Sequence, residues 1–323
     1  MADDPAPATP VATAAETAVG VAEGLPSSRG PARTALRRLL ADRAALAGVV
    51  VIAAAAVAAA AAPLLAPYSP DAPHYADSLR GPGRHYLLGT DGLGRDELSR
   101  LVYGARMSLA SVMVATLAIV LVGVAVGLAS GYFGGVVDTL LQRTTDIVMA
   151  FPSLVLALVI AGILGASLTS VVIAVVSVHW ASYARLVRGM VLTAREQRYV
   201  EASRALGAGD TRIMLSEILP NVLPPVVVLA TLEMGGLLLA ISSLSFLGLG
   251  AQPPTPEWGT MLNEARPYFE SHAYLMIAPG FAITLLVLAF NLVGDGLRDA
   301  LDPRSSRLVS STRRRRWRPR RDR

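Results

Sequence analysis

The chain has 323 residues, of which 53% are apolar and only 16% are charged, and its net charge is +5. A soluble domain usually carries about 25% charged residues, so this composition indicates a membrane protein. The lack of cysteine excludes disulfides and thiol catalysis. The lack of lysine excludes a standard P-loop, because the lysine of that motif contacts the phosphates.

The chain begins with a segment that we expect to be a disordered cytoplasmic N-terminus, residues 1–43. Residues 1–28 are rich in Ala, Pro, Thr and acidic residues and show little apolar periodicity. They lack the positive n-region of a signal peptide. Five arginines between Arg29 and Arg43 then precede the first apolar run, 44–62. This run is close to the roughly 20 residues that cross a bilayer core, so it is predicted to be the first transmembrane helix.

Five further apolar runs follow, and together with the first they predict an all-α, polytopic membrane protein with six transmembrane helices. The runs are 107–130, 147–165, 168–184, 222–250 and 274–294. Pro152 is expected to kink the third predicted span, a feature that membrane helices tolerate when neighbours satisfy the freed carbonyl group. The spacing of Gly123 and Gly127 favours close packing between helices.

The distribution of arginine predicts the orientation, because arginine is enriched on the cytoplasmic side of membrane proteins. Arginines concentrate before the first span, between the fourth and fifth spans, and after the sixth. We therefore expect both termini in the cytoplasm of a multi-pass protein of the cell membrane, with 63–106 as an extracytoplasmic segment. That segment is an exception to the pattern, since it holds five arginines beside five acidic residues.

The C-terminal segment, 296–323, is predicted to be a basic cytoplasmic tail. Its last 20 residues contain ten arginines and one aspartate. Such a run can bind nucleic acid. Following a membrane span, however, it is better interpreted as binding anionic lipid headgroups, at about 1 kcal/mol per arginine near the surface. We therefore expect membrane lipid and not nucleic acid as its partner.

A polar segment interrupts the apolar runs between the fourth and fifth spans, at 199–220. Residues Val200 to Leu206 are predicted to form a short helix that ends in a left-handed cap at Gly207. Asp210 is expected to cap a second amphipathic helix, which Pro220 should stop. Two short helices across a bend fit a groove on another protein. The alternative is a linker that lies on the lipid surface.

This segment resembles the EAA loop of bacterial ABC importer permeases, in which Glu-Ala-Ala is followed by Gly and by an Ile-x-Leu-Pro-like end. The matching residues are Glu201, Ala202, Gly207, Leu219 and Pro220. Ser203 replaces the third small residue of the pattern. In the family this loop is the coupling helix that docks into a cleft of the ATPase subunit.

Four other stretches resemble the second permease subunit of the dipeptide, oligopeptide and nickel importers. They read LLGTDGLGRDELSRLVYGARMSL (87–109), GYFGGVVDTLLQRTTDIVMAFP (131–152), LSFLGLGAQPPTPEWGTML (244–262) and LAFNLVGDGLRDALDPR (288–304). The resemblance covers about residues 46–304. It implies the type I ABC importer permease fold, with a five-helix core over 104–295.

The resemblance also implies a function and a set of partners. It indicates import of di- or oligopeptides across the cell membrane, with a nickel or metal-chelate importer as the alternative. The partners would be a second, different permease subunit, two ATP-binding subunits and an extracytoplasmic peptide-binding protein. A self-contained secondary transporter would need several ionisable groups inside the membrane, and the predicted spans offer one, Glu233.

The candidate site residues follow from the same comparison. Coupling to the ATPase is expected to involve these positions: Glu201, Ala202, Ser203, Arg204, Gly207, Asp210, Leu219 and Pro220. Glu233 either lines the pore or is a carboxylate satisfied by bonds between helices. Related chains often carry a glutamate just before LSFLGLG, where this chain has Ile241 and Ser242. No catalytic residue, metal site or cofactor is predicted, so the chain is expected to be a transport subunit and not an enzyme.

Overall fold

A computed structural model of the chain describes residue 37 and residues 39–301. The predictions of a disordered segment at 1–28 and of a lipid-binding run at the C-terminus therefore lie outside the described residues, apart from the start of the tail. The described part is built from helices and contains no β-sheet.

The helices, numbered in chain order, are α1 (Arg43–Ala60), α2 (Ala62–Leu65), α3 (Glu97–Phe133), α4 (Gly135–Met149), α5 (Ser153–Leu164), α6 (Leu168–Arg195), α7 (Arg198–Ala205), α8 (Asp210–Arg212), α9 (Leu219–Phe246), α10 (Trp258–Ala265) and α11 (Tyr274–Leu301). A π-helical turn, Ile213–Ile218, joins α8 to α9. Short 3₁₀ turns occupy Tyr75–Asp77 and Arg266–Tyr268.

Five helices of the described chain are long and apolar enough to cross a membrane: α1, α3, α6, the continuous α8–α9 unit and α11. The pair α4 and α5 brings the number to six if it forms one broken span. The predicted six-helix architecture agrees with this count. The third predicted span differs in form, because the chain does not kink at Pro152 but breaks there, and the two helices meet at 90°. The residue before a proline avoids helical backbone angles, which separates the two helices.

The bundle is centred on α3 and α6, which run parallel and pack along a seam of glycines. A β-carbon at Gly123 would lie 2.4 Å from Tyr183 Cβ, and one at Gly127 would lie 2.6 Å from the Ala184 carbonyl oxygen. A β-carbon at Gly131 would lie 2.8 Å from Val191 Cβ. The close packing predicted from the Gly123 and Gly127 spacing is therefore confirmed.

The connection between these parallel helices is the broken pair α4 and α5. Helix α5 has 12 residues, so it is about 18 Å long and too short to cross the bilayer core alone. Helix α4 is fixed across the ends of α3 and α6 by a bidentate ion pair, in which Arg188 Nε and Nη2 lie 2.6 Å and 2.7 Å from the two oxygens of Asp138. The Ser130 hydroxyl also donates to Asp138.

Helices α1, α9 and α11 complete the bundle, again through close approaches at glycine. Gly48 of α1 packs against Ala289 of α11, and Gly294 of α11 packs against Leu232 of α9. These contacts set α11 antiparallel to both neighbours. The bundle therefore has two ends: the Glu97 end, where α3, α6 and α11 begin, and the Gly207 end, where α3 and α6 finish.

Candidate functional site

The bent segment, residues 198–220, lies at the Gly207 end and turns at a glycine. Gly207 has φ +81°, in the left-handed region that glycine adopts without steric cost. The Ala208 amide donates to the Ser203 carbonyl, and the Gly207 amide donates to the Arg204 carbonyl, both at 3.0 Å. These two bonds form a Schellman motif. The predicted left-handed cap at Gly207 is confirmed.

The bent segment is anchored to the bundle by apolar side chains on one side. Val200, Ile213 and Ile218 have no exposed surface. The Tyr132 hydroxyl, near the end of α3, donates to Asp210 Oδ1 at 2.7 Å. The prediction that Asp210 caps the second helix is wrong, because the cap position is Gly209 and the Asp210 carboxylate is taken up by Tyr132.

The other side of the bent segment faces outward. The side chain of Leu206, next to the turn, is 89% exposed. Glu201, Ala202 and Arg204 are also exposed, whereas Ser203 is half-buried. The turn therefore exposes an apolar side chain, Leu206, close in sequence to the charged residues Glu201 and Arg204.

The second half of the bent segment continues directly into a spanning helix. The prediction that Pro220 stops the helix is wrong, because Leu219 and Pro220 form the first turn of α9. Pro220 cannot donate a backbone hydrogen bond, and it lies just after the π-helical turn, where the helical hydrogen-bond pattern changes. The π-helical turn Ile213–Ile218 lies just before Leu219, and it shifts the backbone hydrogen-bond pattern between α8 and α9. The bent segment is therefore joined to α9 without an intervening loop.

Glu233 lies at the middle of α9 and is half-buried. Its carboxyl group faces Tyr183 of α6, a fully buried side chain, with which it interacts electrostatically. The Tyr183 hydroxyl makes no hydrogen bond within the described residues. The geometry therefore brings one acidic and one phenolic group together between α6 and α9.

The Glu97 end contains a buried ion-pair cluster of four residues, Asp91, Arg95, Arg100 and Glu264. Arg95 Nε lies 2.6 Å from Asp91 Oδ2, and Arg95 Nη2 lies 3.1 Å from Glu264 Oε1. Arg100 Nη2 binds the other oxygen of Glu264. Burial lowers the pKa of Arg95, but Glu264 and Asp91 raise it by more, so its pKa lies above the usual value.

This cluster explains the exception in the arginine pattern. The side chains of Arg95 and Arg100 are only 4% and 1% exposed, and Arg80 pairs with Asp77. Three of the five arginines in 63–106 are thus neutralised by neighbours. Asp96 and Glu97 lie at the N-terminus of α3, where Asp96 caps the helix and accepts from the Ser99 amide.

Helix α10 is fixed against the start of α3 by a second set of contacts. Glu257 has no exposed surface. Its carboxylate caps α10 by accepting from the Gly259 and Thr260 amides, and it also accepts from the Ser108 hydroxyl. Trp258 Nε1 donates to the Leu101 carbonyl at 2.9 Å. Glu257 therefore has a structural role in fixing α10 against α3.

Sequence reasoning missed the pairing of Arg95 and Arg100 with Glu264, because the partners are separated by more than 160 residues. The sequence held one indication that these arginines are paired, because 63–106 contains equal numbers of basic and acidic residues. Sequence reasoning also missed the continuity between the bent segment and α9, because a proline inside a sequence usually ends or kinks a helix.

Two family models match the chain. Residues 119–307 match the binding-protein-dependent transport system inner membrane component. Residues 30–82 match the N-terminal TM domain of oligopeptide transport permease C. The first match covers more than half of the chain.

Several proteins are similar over most of their length. The dipeptide transport system permease protein DppC of Alkalihalophilus pseudofirmus is 42% identical over 85% of this chain and 90% of its own. The nickel transport system permease protein NikC of Escherichia coli K12 is 45% identical over 73% and 86%. The glutathione transport system permease protein GsiD of Pectobacterium atrosepticum is 42% identical over 86% and 93%.

A solved structure supports the fold. A chain of the inward-facing MetNI methionine ABC transporter aligns with a TM-score of 0.50 at 20% identity, over 63% of this chain and 97% of its own. The predicted importer permease fold is therefore confirmed. Taken with the family models and the relatives, this places the chain among the binding-protein-dependent transport system inner membrane components, as a permease of the peptide, nickel and glutathione ABC importer family.

Proposed function

We propose that this chain is one of two different permease subunits in an ATP-driven importer of di- or oligopeptides. Two ATP-binding subunits bind at the Gly207 end, and a peptide-binding protein delivers cargo at the Glu97 end. Both termini are then cytoplasmic. The names of the dipeptide and glutathione relatives support peptide cargo, whereas the nickel relative supports the alternative cargo.

The observation that carries the coupling proposal is Leu206, 89% exposed at the tip of a bend whose base is fully buried. A flexible linker would not transmit force, but this bend is closed by a Schellman motif and tied to α3 through Tyr132 and Asp210. In the proposal Leu206 inserts into a cleft of the ATP-binding subunit. The charged residues Glu201 and Arg204 surround it and provide electrostatic complementarity.

The coupling then follows from linkage. ATP shifts the transporter between its inward-open and outward-open states only if it binds one state more tightly. Closure of the ATP-binding subunits moves the bent segment, and the π-helical turn carries this motion into α9 because no loop separates them. Helix α9 holds Glu233 against Tyr183, so the motion reaches the middle of the bundle.

The coupling proposal is tested with Leu206→Asp in the assembled transporter. We expect this variant to insert into the membrane normally but to lose copurification with the ATP-binding subunits, because a carboxylate replaces the apolar anchor. Leu64→Asp is the matched control, since Leu64 is also 89% exposed but lies at the Glu97 end. Retention of the ATP-binding subunits by Leu206→Asp would contradict the proposal.

We also propose that Glu233 lines the translocation pathway. The test uses the lack of cysteine in the chain, so that Glu233→Cys carries the only thiol. A charged, water-soluble thiol reagent should modify this position and should spare Ile241→Cys on the same helix, because Ile241 has no exposed surface. Failure of the reagent to modify Glu233→Cys would show that Glu233 does not face water.

Cargo is settled by uptake of labelled dipeptide and labelled nickel into vesicles that contain the complete transporter. The peptide proposal expects ATP-dependent uptake of dipeptide only. Uptake of nickel alone would assign the chain to the second cargo class. Uptake by this chain without partners would contradict both assignments and indicate a secondary transporter.

A further inference from the structure

The break between α4 and α5 lies deep along the bundle, away from both ends. Residues 150–152 separate the two helices, and all three are exposed. Helix α5 packs antiparallel to α6, because only residues 165–167 join the end of one to the start of the other. Since α5 has 12 residues and is about 18 Å long, the break is level with about residue 180 of α6.

The glycine seam shows that this level lies within the apolar layer of the bundle. A β-carbon at Gly123 would meet Tyr183. One at Gly127 would meet Val187, four residues further along both helices. This part of α6 therefore lies beside the uncharged run 107–130 of α3, which is long enough to cross the bilayer core. The break is level with the middle of that run.

An exposed ion pair lies in the same layer, just beside the break. Arg185 Nη2 lies 2.6 Å from Asp146 Oδ1, and the two side chains are 49% and 65% exposed. Arg185 comes between Tyr183 and Val187 in the sequence of α6, so it is level with the uncharged run of α3. Charged side chains that face hydrocarbon at such a depth are costly.

Lipid is therefore a poor neighbour for this part of the chain. A helix end leaves carbonyl groups without helical donors, and Pro152 has no N–H to offer one. Non-helical backbone at membrane depth is tolerated only where protein buries it or where it lines a water-filled space. The break and the ion pair thus face either a second subunit or water.

A groove of about 500 Å³ beside Arg185 favours water. It runs between α6 and the start of α9, and the polar side chains that line it are those of Arg185, Thr193 and Asn221. Gly189 also lines it, and a β-carbon there would meet nothing within 4 Å. Contacts between membrane helices are closely packed through small residues, as in the glycine seam, whereas this face of α6 is open and polar.

We propose that this groove, with the ion pair of Asp146 and Arg185 at its edge, is a water-filled section of the translocation pathway toward the Gly207 end. The inference rests on the proposed importer function and adds a second stretch of pathway to Glu233. The ion pair offers one group of each charge. It therefore suits a zwitterionic di- or oligopeptide better than a bare metal cation, which the guanidinium group would repel.

The test uses single cysteines in the complete transporter in lipid nanodiscs, where a reagent reaches both sides. Leu186→Cys lies in the groove, whereas Ala125→Cys is exposed on α3 at nearly the same level. The chain has no other thiol, so modification is read on this chain by mass spectrometry. A charged thiol reagent should modify Leu186→Cys at least about tenfold faster than Ala125→Cys, because hydrocarbon excludes charge.

Two results would overturn the proposal. Equal rates at both positions would show that the groove is no wetter than the outer face of α3. No reaction at Leu186→Cys, with or without ATP, would show that a neighbouring subunit buries the groove. Dipeptide uptake by the unaltered transporter is measured first, because its absence would contradict the importer function and not the water-filled groove.

The same variant tests the class of cargo. Saturating dipeptide, supplied with the peptide-binding protein and ATP, should slow the modification of Leu186→Cys, whereas nickel should not. Once modified by a bulky reagent, Leu186→Cys should lose ATP-dependent dipeptide uptake that the unmodified variant retains. Protection by nickel alone, or full uptake after complete modification, would remove the groove from the path of a peptide.

Discussion

At the level of single residues, Gly207 is the position where backbone geometry and proposed function meet. Its φ of +81° is left-handed, and a β-carbon built there would meet no atom within 4 Å. Space is therefore not the constraint; the constraint is the backbone angle, which costs a residue with a β-carbon about 1–2 kcal/mol. Replacing Gly207 disturbs the direction of α7 without disturbing the packing of the bundle.

We predict that Gly207→Val inserts into the membrane normally but abolishes ATP-dependent uptake and lowers the coupling of ATP hydrolysis to cargo. Gly209→Val is the control, because Gly209 also has open space around it but has an ordinary φ of −72°. Uptake and ATPase rates of both variants are measured in the reconstituted transporter. Normal uptake by Gly207→Val would argue against docking through the bent segment.

The residue scale also shows the limit of sequence reasoning. The turn at Gly207 was predictable, because a glycine after a short amphipathic helix is a local signal. The role of Asp210 was not, since its partner Tyr132 lies 78 residues earlier. The burial of Arg95 and Arg100 could not be predicted for the same reason, because it depends on Glu264, which is distant in the sequence. Side chains that find distant partners override the local preferences of their types.

At the level of elements, the seam between α3 and α6 determines how closely the two central helices approach. Because membrane helices gain little from the hydrophobic effect, their association depends on close packing of small residues. We predict that Gly127→Leu lowers the stability of the chain by about 1–3 kcal/mol through overpacking. Its β-carbon would lie 2.6 Å from the Ala184 carbonyl oxygen. The measurement is the apparent Tm of the chain in detergent.

Gly236→Leu provides the comparison for this substitution. Gly236 lies inside helix α9, and a β-carbon there would meet nothing within 4 Å. We expect its apparent Tm to stay near that of the unaltered chain. A drop of equal size in both variants would mean that loss of helix glycines in general, and not the seam, controls stability.

The number and type of elements could be predicted from the sequence, but two connections could not. Apolar length is a strong local signal, so the six predicted spans correspond to helices of the described chain. The predicted effect of a proline on its helix was wrong at two positions, in opposite directions. Pro152 marks a 90° break instead of a kink, and Pro220 lies in a helix that continues. The effect of a proline depends on whether the neighbouring backbone groups find other partners.

At the level of the whole molecule, the arrangement of charge distinguishes the two ends of the bundle. At the Glu97 end, Arg95 and Arg100 are buried in ion pairs and contribute little free positive charge. At the Gly207 end, Arg198, Arg204 and Arg212 are exposed. Arginines in short segments next to the spans favour the cytoplasmic side of the membrane. Arg84 and Arg106 are also exposed at the Glu97 end, so the cytoplasmic position of the Gly207 end stays a prediction from the arginine counts.

This orientation predicts the result of labelling single cysteines with a membrane-impermeant maleimide. Gly83→Cys, at the Glu97 end, should react in intact spheroplasts, whereas Gly209→Cys should react only after the membrane is made permeable. Both glycines have room for a side chain, and the chain has no other thiol to label. Labelling of Gly209→Cys in intact spheroplasts would place the bent segment outside the cell, beyond the reach of any ATP-binding subunit, and would exclude the proposed coupling.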